Sequence, residues 1–443
     1  MGRRARRQVS TTARVLLWGR DIGAVTWLDE RDLAVFQYTP AFAGSGIQVA
    51  PLIMPLQEAP FEFPALARET FHGLPGLLAD SLPDKFGNRL IDAWLATQGR
   101  PPGSLNPVER LCYTGARGMG ALEFKPTIKG APSRTHEIRI EALVDLANRV
   151  LDERIGLEGK FAGQDDQSAI EDILRVGTSA GGARAKAVLA WNRRTGEFRS
   201  GQAPVSKGFS HWLMKFDGVH GNRDRELTDP QGFGRIEYAY SRMAHDAGIT
   251  MQECRLHEEG GRAHFMTRRF DRTDRGEKLH MQSLGAMRHY DFNQAGAYAY
   301  EQAIETIQRL SLPIDDIEQQ IRRTFLNVLA RNHDDHVKNI AFLMNKQGQW
   351  RLSPAFDVAY SYNPDGAWTS RHQMSLNGKR DDFQPDDLVA FANSAGVKKA
   401  RTMALLREVA RSVEDWRGHA QAAGVSAHDQ DRIENSFRLY LAA

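Results

Sequence analysis

A change of period along the chain constrains its fold more than any other feature. Residues 14–40 read as short apolar runs broken by turns: Val15-Leu16-Leu17-Trp18, then Gly19-Arg20-Asp21, then Ile22 to Leu28, then Leu33 to Tyr38. That pattern predicts a β-meander. Beyond about residue 296 the spacing is helical, over 298–310, 314–331, 385–395, 398–418 and 426–441. One stretch interrupts this second half. Ile340 to Met344, the turn-forming Asn345 to Gln349, and Trp350-Arg351-Leu352 read as a β-hairpin. A β-rich first half and a helical second half predict an α+β, two-lobed architecture, whose inter-lobe cleft is the place to expect a ligand.

Between the two regimes, Phe86, Leu90, Ile91, Trp94 and Leu95 share one helical face over 84–97, and Gly99 to Gly103 stop that helix. A second helix is expected at about 140–153 and a third from Ile236 to Gly248. Residues 171–216 read as β-rich around a glycine-rich turn, with further strands near Gln252–His257 and His264–Arg268. The length of 443 residues suggests two or three domains, or one large bilobal unit.

Composition removes several classes. No apolar run approaches the ~20 residues that span a bilayer, and the N-terminus has no apolar signal core. Only Cys112 and Cys254 are present, which argues against a disulfide framework or a cysteine-ligated zinc site. A cytoplasmic protein without membrane contact is expected. A net charge of +3 does not mark a nucleic-acid binder. Arg3, Arg4, Arg6, Arg7 and Arg14 read as a solvated, disordered tail over 1–14, with a salt-sensitive phosphate contact as the alternative.

The chemistry concentrates in His333-Asp334-Asp335-His336-Val337-Lys338-Asn339. Asp334 stands five positions before Asn339, the hairpin follows, and Asp357 comes next in Pro354-Ala355-Phe356-Asp357. Phosphoryl transfer needs such parts: one carboxylate for the acceptor hydroxyl, then an amide and a second carboxylate to hold magnesium on the nucleotide phosphates. The kinase spacing selects Asp334 over Asp335 as the base. Alone the pattern leaves a rival open, in which His333, Asp334 and His336 ligate the metal of a phosphohydrolase. A hairpin directly behind the motif argues against that rival.

Upstream, Val176-Gly177-Thr178-Ser179-Ala180-Gly181-Gly182-Ala183-Arg184-Ala185-Lys186 is a glycine-rich loop running into a strand. Glycines admit phosphate oxygens close to backbone amides. The loop is not a Walker motif, since Ala183 stands where lysine is required, and by itself it is compatible with a plain turn. Lys215, inside the apolar strand His211–Phe216, is costly to bury without an anionic partner. Glu237, on the next helix, is the candidate partner; an edge-strand lysine reaching solvent is the alternative. The order is then loop, lysine, glutamate, base, amide, metal carboxylate.

In these segments the chain resembles the HipA toxin kinases of type II toxin–antitoxin modules. The resemblance runs from about residue 15 to 420 and rests also on Gly73–Asp84, Arg269-Phe270-Asp271-Arg272 and Ser375–Arg380. It implies an N-terminal β-rich subdomain (15–135), a nucleotide-binding subdomain (136–272) and a helical catalytic lobe (273–443), together a bilobal kinase-like fold. It implies an ATP- and Mg2+-dependent serine/threonine protein kinase that inhibits translation by modifying a host protein such as an aminoacyl-tRNA synthetase. Asp334 would be the base, and Asn339 and Asp357 the metal ligands. Ser179, Gly181, Gly182, Lys186, Lys215, Arg269, Phe270, His336 and Phe356 would surround ATP. Around Arg269 it is the backbone that would meet the adenine. Ser179 would be autophosphorylated, and a phosphate of about −2 charge there would repel those of ATP. The implied partners are a protein substrate and a helix-turn-helix antitoxin, with DNA reached only through the antitoxin. Asp335 departs from the glycine common in the family, and a carboxylate there would repel or recruit a metal. A small-molecule phosphotransferase and a non-catalytic regulator remain the alternatives, the latter opposed by the complete set of Lys215, Asp334, Asn339 and Asp357.

Overall fold

Alternation builds the first sheet. In β1 (Thr12–Leu17), β2 (Arg20–Leu28) and β3 (Leu33–Tyr38), Ala13, Val15, Val25, Trp27, Ala34 and Phe36 are buried, and several of the residues between them are not. The computed structural model describes residues 11–97, 99–126, 139–151, 184–202, 207–219 and 232–442. It pairs β1 with β2 through Trp18 and Gly19, both at positive φ (51° and 78°), as a two-residue hairpin turn requires. β4 (Leu122–Lys125) joins the free edge of β1, giving the antiparallel order β3-β2-β1-β4. Arg14, assigned by its charge to the basic tail, is a strand residue paired with Asp21 at 2.6 Å.

The second sheet is antiparallel, in the order β6-β5-β7-β9-β8. Its strands are β5 (Lys186–Trp191), β6 (Phe198–Ser200), β7 (Ser210–Lys215), β8 (Cys254–Glu259) and β9 (Arg262–Arg268). α1 (Lys85–Thr97) follows the expected helical face, and α2 (Pro107–Thr114) and α3 (Ile140–Leu151) come next. α4 (Phe233–Asp246) lies against β8 and β9. Its Gly234 permits that approach, because a Cβ there would collide with the Ala263 carbonyl.

The C-terminal lobe comprises α5 (Tyr300–Arg309), α6 (Ile314–Leu329), α7 (Pro385–Ser394), α8 (Lys399–Glu414), α9 (Trp416–Ala423) and α10 (Ala427–Glu434). Two expected helices are shorter than their spacing suggests. The helix over 398–418 breaks at Asp415, and the one over 426–441 ends at Glu434, before a 3-10 turn at Leu439–Ala442. The expected hairpin is present as β11 (Ala341–Met344) and β12 (Trp350–Leu352). An unexpected strand, β10 (His280–Ser283), pairs with its first arm. The architecture is the α+β one that the change of period implies.

Two apolar cores result, and they do not follow chain order. The larger joins the first sheet (Val15, Val25, Phe36) to α4 (Ile236, Tyr240) and to the helical lobe (Ile321, Phe325, Leu405, Val409). The smaller gathers Phe86, Leu90 and Leu95 of α1 and Leu143 of α3 under Ala187, Leu189, Trp212 and Met266 of the second sheet.

Candidate active site

The loop after α6 is extended, and its side chains alternate. His333, Asp335 and Val337 are buried, while Asp334, His336 and Lys338 are only half-buried. The inward residues anchor it. His333 Nδ1 bonds the Thr369 carbonyl at 2.9 Å. The Asp335 carboxylate accepts from Tyr300 Oη at 2.5 Å, His372 Nδ1 at 2.7 Å and the Gln373 amide at 2.7 Å. Arg438 Nη1 donates to the other His372 nitrogen at 2.9 Å, which fixes the tautomer that serves Asp335. Asp335 therefore faces the interior, where it ties the loop to α5 and, through His372, to Arg438.

Asp334, aimed the other way, has His336 Nε2 at 3.7 Å and the Trp368 indole N–H at 3.4 Å, both on Oδ1. Asn339 Nδ2 donates to the Asp334 carbonyl at 2.7 Å, which closes the loop on itself. Desolvation raises the Asp334 carboxyl above the usual carboxylate range; nearby His336 opposes this, and the charge of Asp357 adds to it.

Lys215, at the end of β7, donates to Glu237 Oε1 of α4 at 2.6 Å and to Asp357 Oδ1. Burial works against this ammonium, but Asp357 and then Glu237 outweigh it and hold it charged above its ordinary range. Burial likewise pushes Asp357 up, yet Lys215 and then Lys186 bring it down to about 2. Asp357 sits at φ 53°, a left-handed conformation that Asp tolerates better than most residues. A parallel bridge from Ala355 to Met251 steadies the segment just ahead of it. The Phe356 and Phe270 rings pack at 5.3 Å.

The structure thus brings together Lys215, Glu237, Asp357, Asp334 and His336, with Asn339 on the same loop. It turns the Arg269 side chain elsewhere. That guanidinium forks onto Asp271 at 2.9 and 2.7 Å, with Arg272 and the Gly120 amide also on Asp271. The glycine-rich turn at Thr114–Gly120 is therefore a docking point for this motif. Thr178, Ser179, Gly181 and Gly182 lie outside the described residues. Three neighbours escaped the sequence reading. Arg184 lies 4.0 Å from Glu237, Trp368 touches Asp334, and Asp84 pairs with Lys186 at 3.1 Å. Arg184 had a signal, as a cation at the end of the glycine-rich loop, two residues before β5 begins at Lys186; Trp368 had none.

The donors suit magnesium. Asn339 Nδ2 and Asp357 Oδ1 are engaged, which leaves an amide oxygen and a carboxylate oxygen. Among the described residues no group of three or more His, Cys, Asp or Glu side chains gathers around a possible metal. Magnesium does not need one, because it takes one or two protein oxygens and completes its shell with phosphate and water. Among the described residues His336 Nδ1 is buried without a hydrogen-bond partner.

This geometry defines a class of two-lobed α+β proteins that set a strand lysine, clamped between two carboxylates, against a carboxylate-bearing loop. Residues 178–417 match the family described as HipA-like C-terminal domain, and residues 13–125 match the HipA N-terminal domain. The chain belongs to the HipA family. A solved structure of HipA with HipB and operator DNA, from the toxin–antitoxin system of Shewanella oneidensis MR-1, superposes with a TM-score of 0.66 at 17% identity, covering 97% of this chain and 96% of that one. The proinflammatory kinase CtkA of Helicobacter pylori matches with a TM-score of 0.33 at 10% identity, covering 53% of this chain and 89% of that one, too distant to bear on the fold. No curated protein matches the chain. Among the described residues no helix is long and apolar enough to cross a membrane.

Proposed function

We propose that the chain is an ATP-dependent serine/threonine protein kinase and the toxin of a toxin–antitoxin pair. The observation that carries this is the Lys215–Glu237–Asp357 clamp opposite Asp334, with all four groups in kinase order along the chain. Lys215 has three N–H donors; among the described residues two are committed, to Glu237 and Asp357, and the third serves a phosphate oxygen. Asp357 and Asn339 would hold magnesium, which would supply charge neutralisation at the phosphates. Asp334 orients the acceptor hydroxyl and takes its proton. His336 and Phe356 line the nucleotide site beside Phe270, and Lys186 adds a second cation. Ser179 is the site of self-modification, and its phosphate opposes nucleotide rebinding.

Membership of the family supports the partners we propose. A protein substrate, an aminoacyl-tRNA synthetase among the candidates, is modified so that translation slows. A helix-turn-helix antitoxin restrains the toxin, and DNA is met through the antitoxin. The decisive experiment is mass spectrometry after incubation with ATP and magnesium. Wild type gains a phosphate at Ser179 and Asp334→Ala gains none, with transfer reduced by roughly 10²-fold or more. Equal phosphate on both proteins, or none on either, would end the kinase reading. Growth arrest on expression, absent in Asp334→Ala, separates a toxin from a small-molecule phosphotransferase.

A further inference from the structure

Strand register sets Lys186 of β5 directly opposite Lys215 of β7. Directly opposed residues of an antiparallel pair share a face, with Cβ atoms about 5 Å apart, so like charges there repel. Both lysines are withdrawn from solvent, with 2% and 14% of their side chains exposed. Each therefore needs its own carboxylate. Lys215 has Glu237 and Asp357. Lys186 has Asp84, at 3.1 Å, whose side chain is 5% exposed.

Asp84 reaches this place from the first region of the chain. It immediately precedes α1 and accepts from the Gly87 amide at 2.6 Å, so the helix start fixes its carboxylate. Burying such a pair is seldom stabilising against an apolar alternative. Burying it opposite a second lysine is less so, unless the charge is used. Lys186 is placed for such a use, since the register sets it directly across from Lys215, whose ammonium meets Glu237 and Asp357.

We propose that Asp84 is a positioning residue of the nucleotide site, holding the Lys186 ammonium beside Lys215 as a second phosphate-binding cation. It does for Lys186, from the N-terminal region, what Glu237 does for Lys215 from α4. This rests on the kinase reading above. It adds that the region carrying Asp84 is part of the phosphate-binding machinery.

The test measures binding of Mg-ATP and of adenosine to the full chain by calorimetry, with a urea unfolding midpoint for each variant. Adenosine has no phosphates, so a purely structural defect weakens both ligands while a phosphate-site defect weakens only Mg-ATP. Asp84→Asn and Lys186→Met are each expected to weaken Mg-ATP about tenfold and to leave adenosine unchanged, the loss of one charge-assisted contact. Asp84→Glu restores part of the loss. In Asp84→Asn/Lys186→Met no buried charge is left unpaired, and Mg-ATP binds as it does to Lys186→Met alone. A further drop in the double variant, equal losses for both ligands, or wild-type affinity in a folded Asp84→Asn would each overturn the assignment. If wild type binds neither ligand, the kinase reading falls and takes this inference with it. If wild type binds both and Asp84→Asn does too at the same strength, only the role of Asp84 falls.

Discussion

Replacing Asp335 with alanine removes the acceptor of three donors at once, on Tyr300, His372 and Gln373, all in the interior. Stranded buried donors cost on the order of 3 kcal/mol together. We expect Asp335→Ala to lower the urea midpoint by that measure and to slow phosphoryl transfer, because the Asp334 backbone loses its anchor. A variant with an unchanged midpoint would show that the interior network does not hold the loop. Asp334 and Asp335 could be ranked from spacing alone, since the five-residue separation from Asn339 belongs to one of them. The task of Asp335 could not be read in the same way. Its partners stand near residues 300 and 372, and nothing local signals them. Arg269 was harder still: its motif is conspicuous in sequence, but only the fold shows its guanidinium turned onto Asp271.

At the scale of elements, α4 matters because it delivers Glu237 to Lys215. Gly234 lets it approach β9, whose Ala263 carbonyl fills the space a Cβ would take. Alanine gains up to about 1 kcal/mol in helix propensity, but overlap with a fixed backbone atom costs about 1–3 kcal/mol. The overlap wins, since a carbonyl within a strand cannot swing aside. Gly234→Ala should therefore be destabilised in urea and should bind Mg-ATP more weakly as Glu237 recedes; unchanged values of both would refute the tight seat of α4. Most elements were legible because their period is local: the meander, α1 and the hairpin β11–β12 all stand where spacing puts them. α2 was legible too and was overlooked, since Asn106-Pro107 followed by Glu109 spells a capping box, formed here at 2.9 and 2.8 Å. β10 was not, because four residues become a strand only by pairing with Ala341–Met344.

For the whole molecule, burial should make the protein acid-sensitive. His264 Nδ1 accepts from the Asp217 amide at 2.9 Å, and His280 Nε2 meets the Val49 carbonyl at 3.1 Å. Burial lowers both imidazoles from 6.5 to about 4. Between those values the unfolded chain binds more protons than the folded one. Stability is therefore fully present above about pH 6.5 and declines as pH falls toward about 4, by roughly 3 kcal/mol for each histidine. Unfolding free energies at pH 7, 6 and 5 should fall in that order; a flat profile would mean that both rings stay solvated. The arrangement of the two cores could not be read from sequence at all, because period reports which face of an element is apolar and not which other face it meets.

The crossing of those cores also limits how such a chain can be recombined. A gene cut near codon 126 would strand Phe86 and Leu90 on one product and the sheet they fill on the other, while Val15 and Phe36 would lose the helices that cover them. Domain shuffling at that seam, natural or engineered, would pass on neither a soluble first half nor a working second one. The two matched family segments would have to be inherited together, as one unit of exchange.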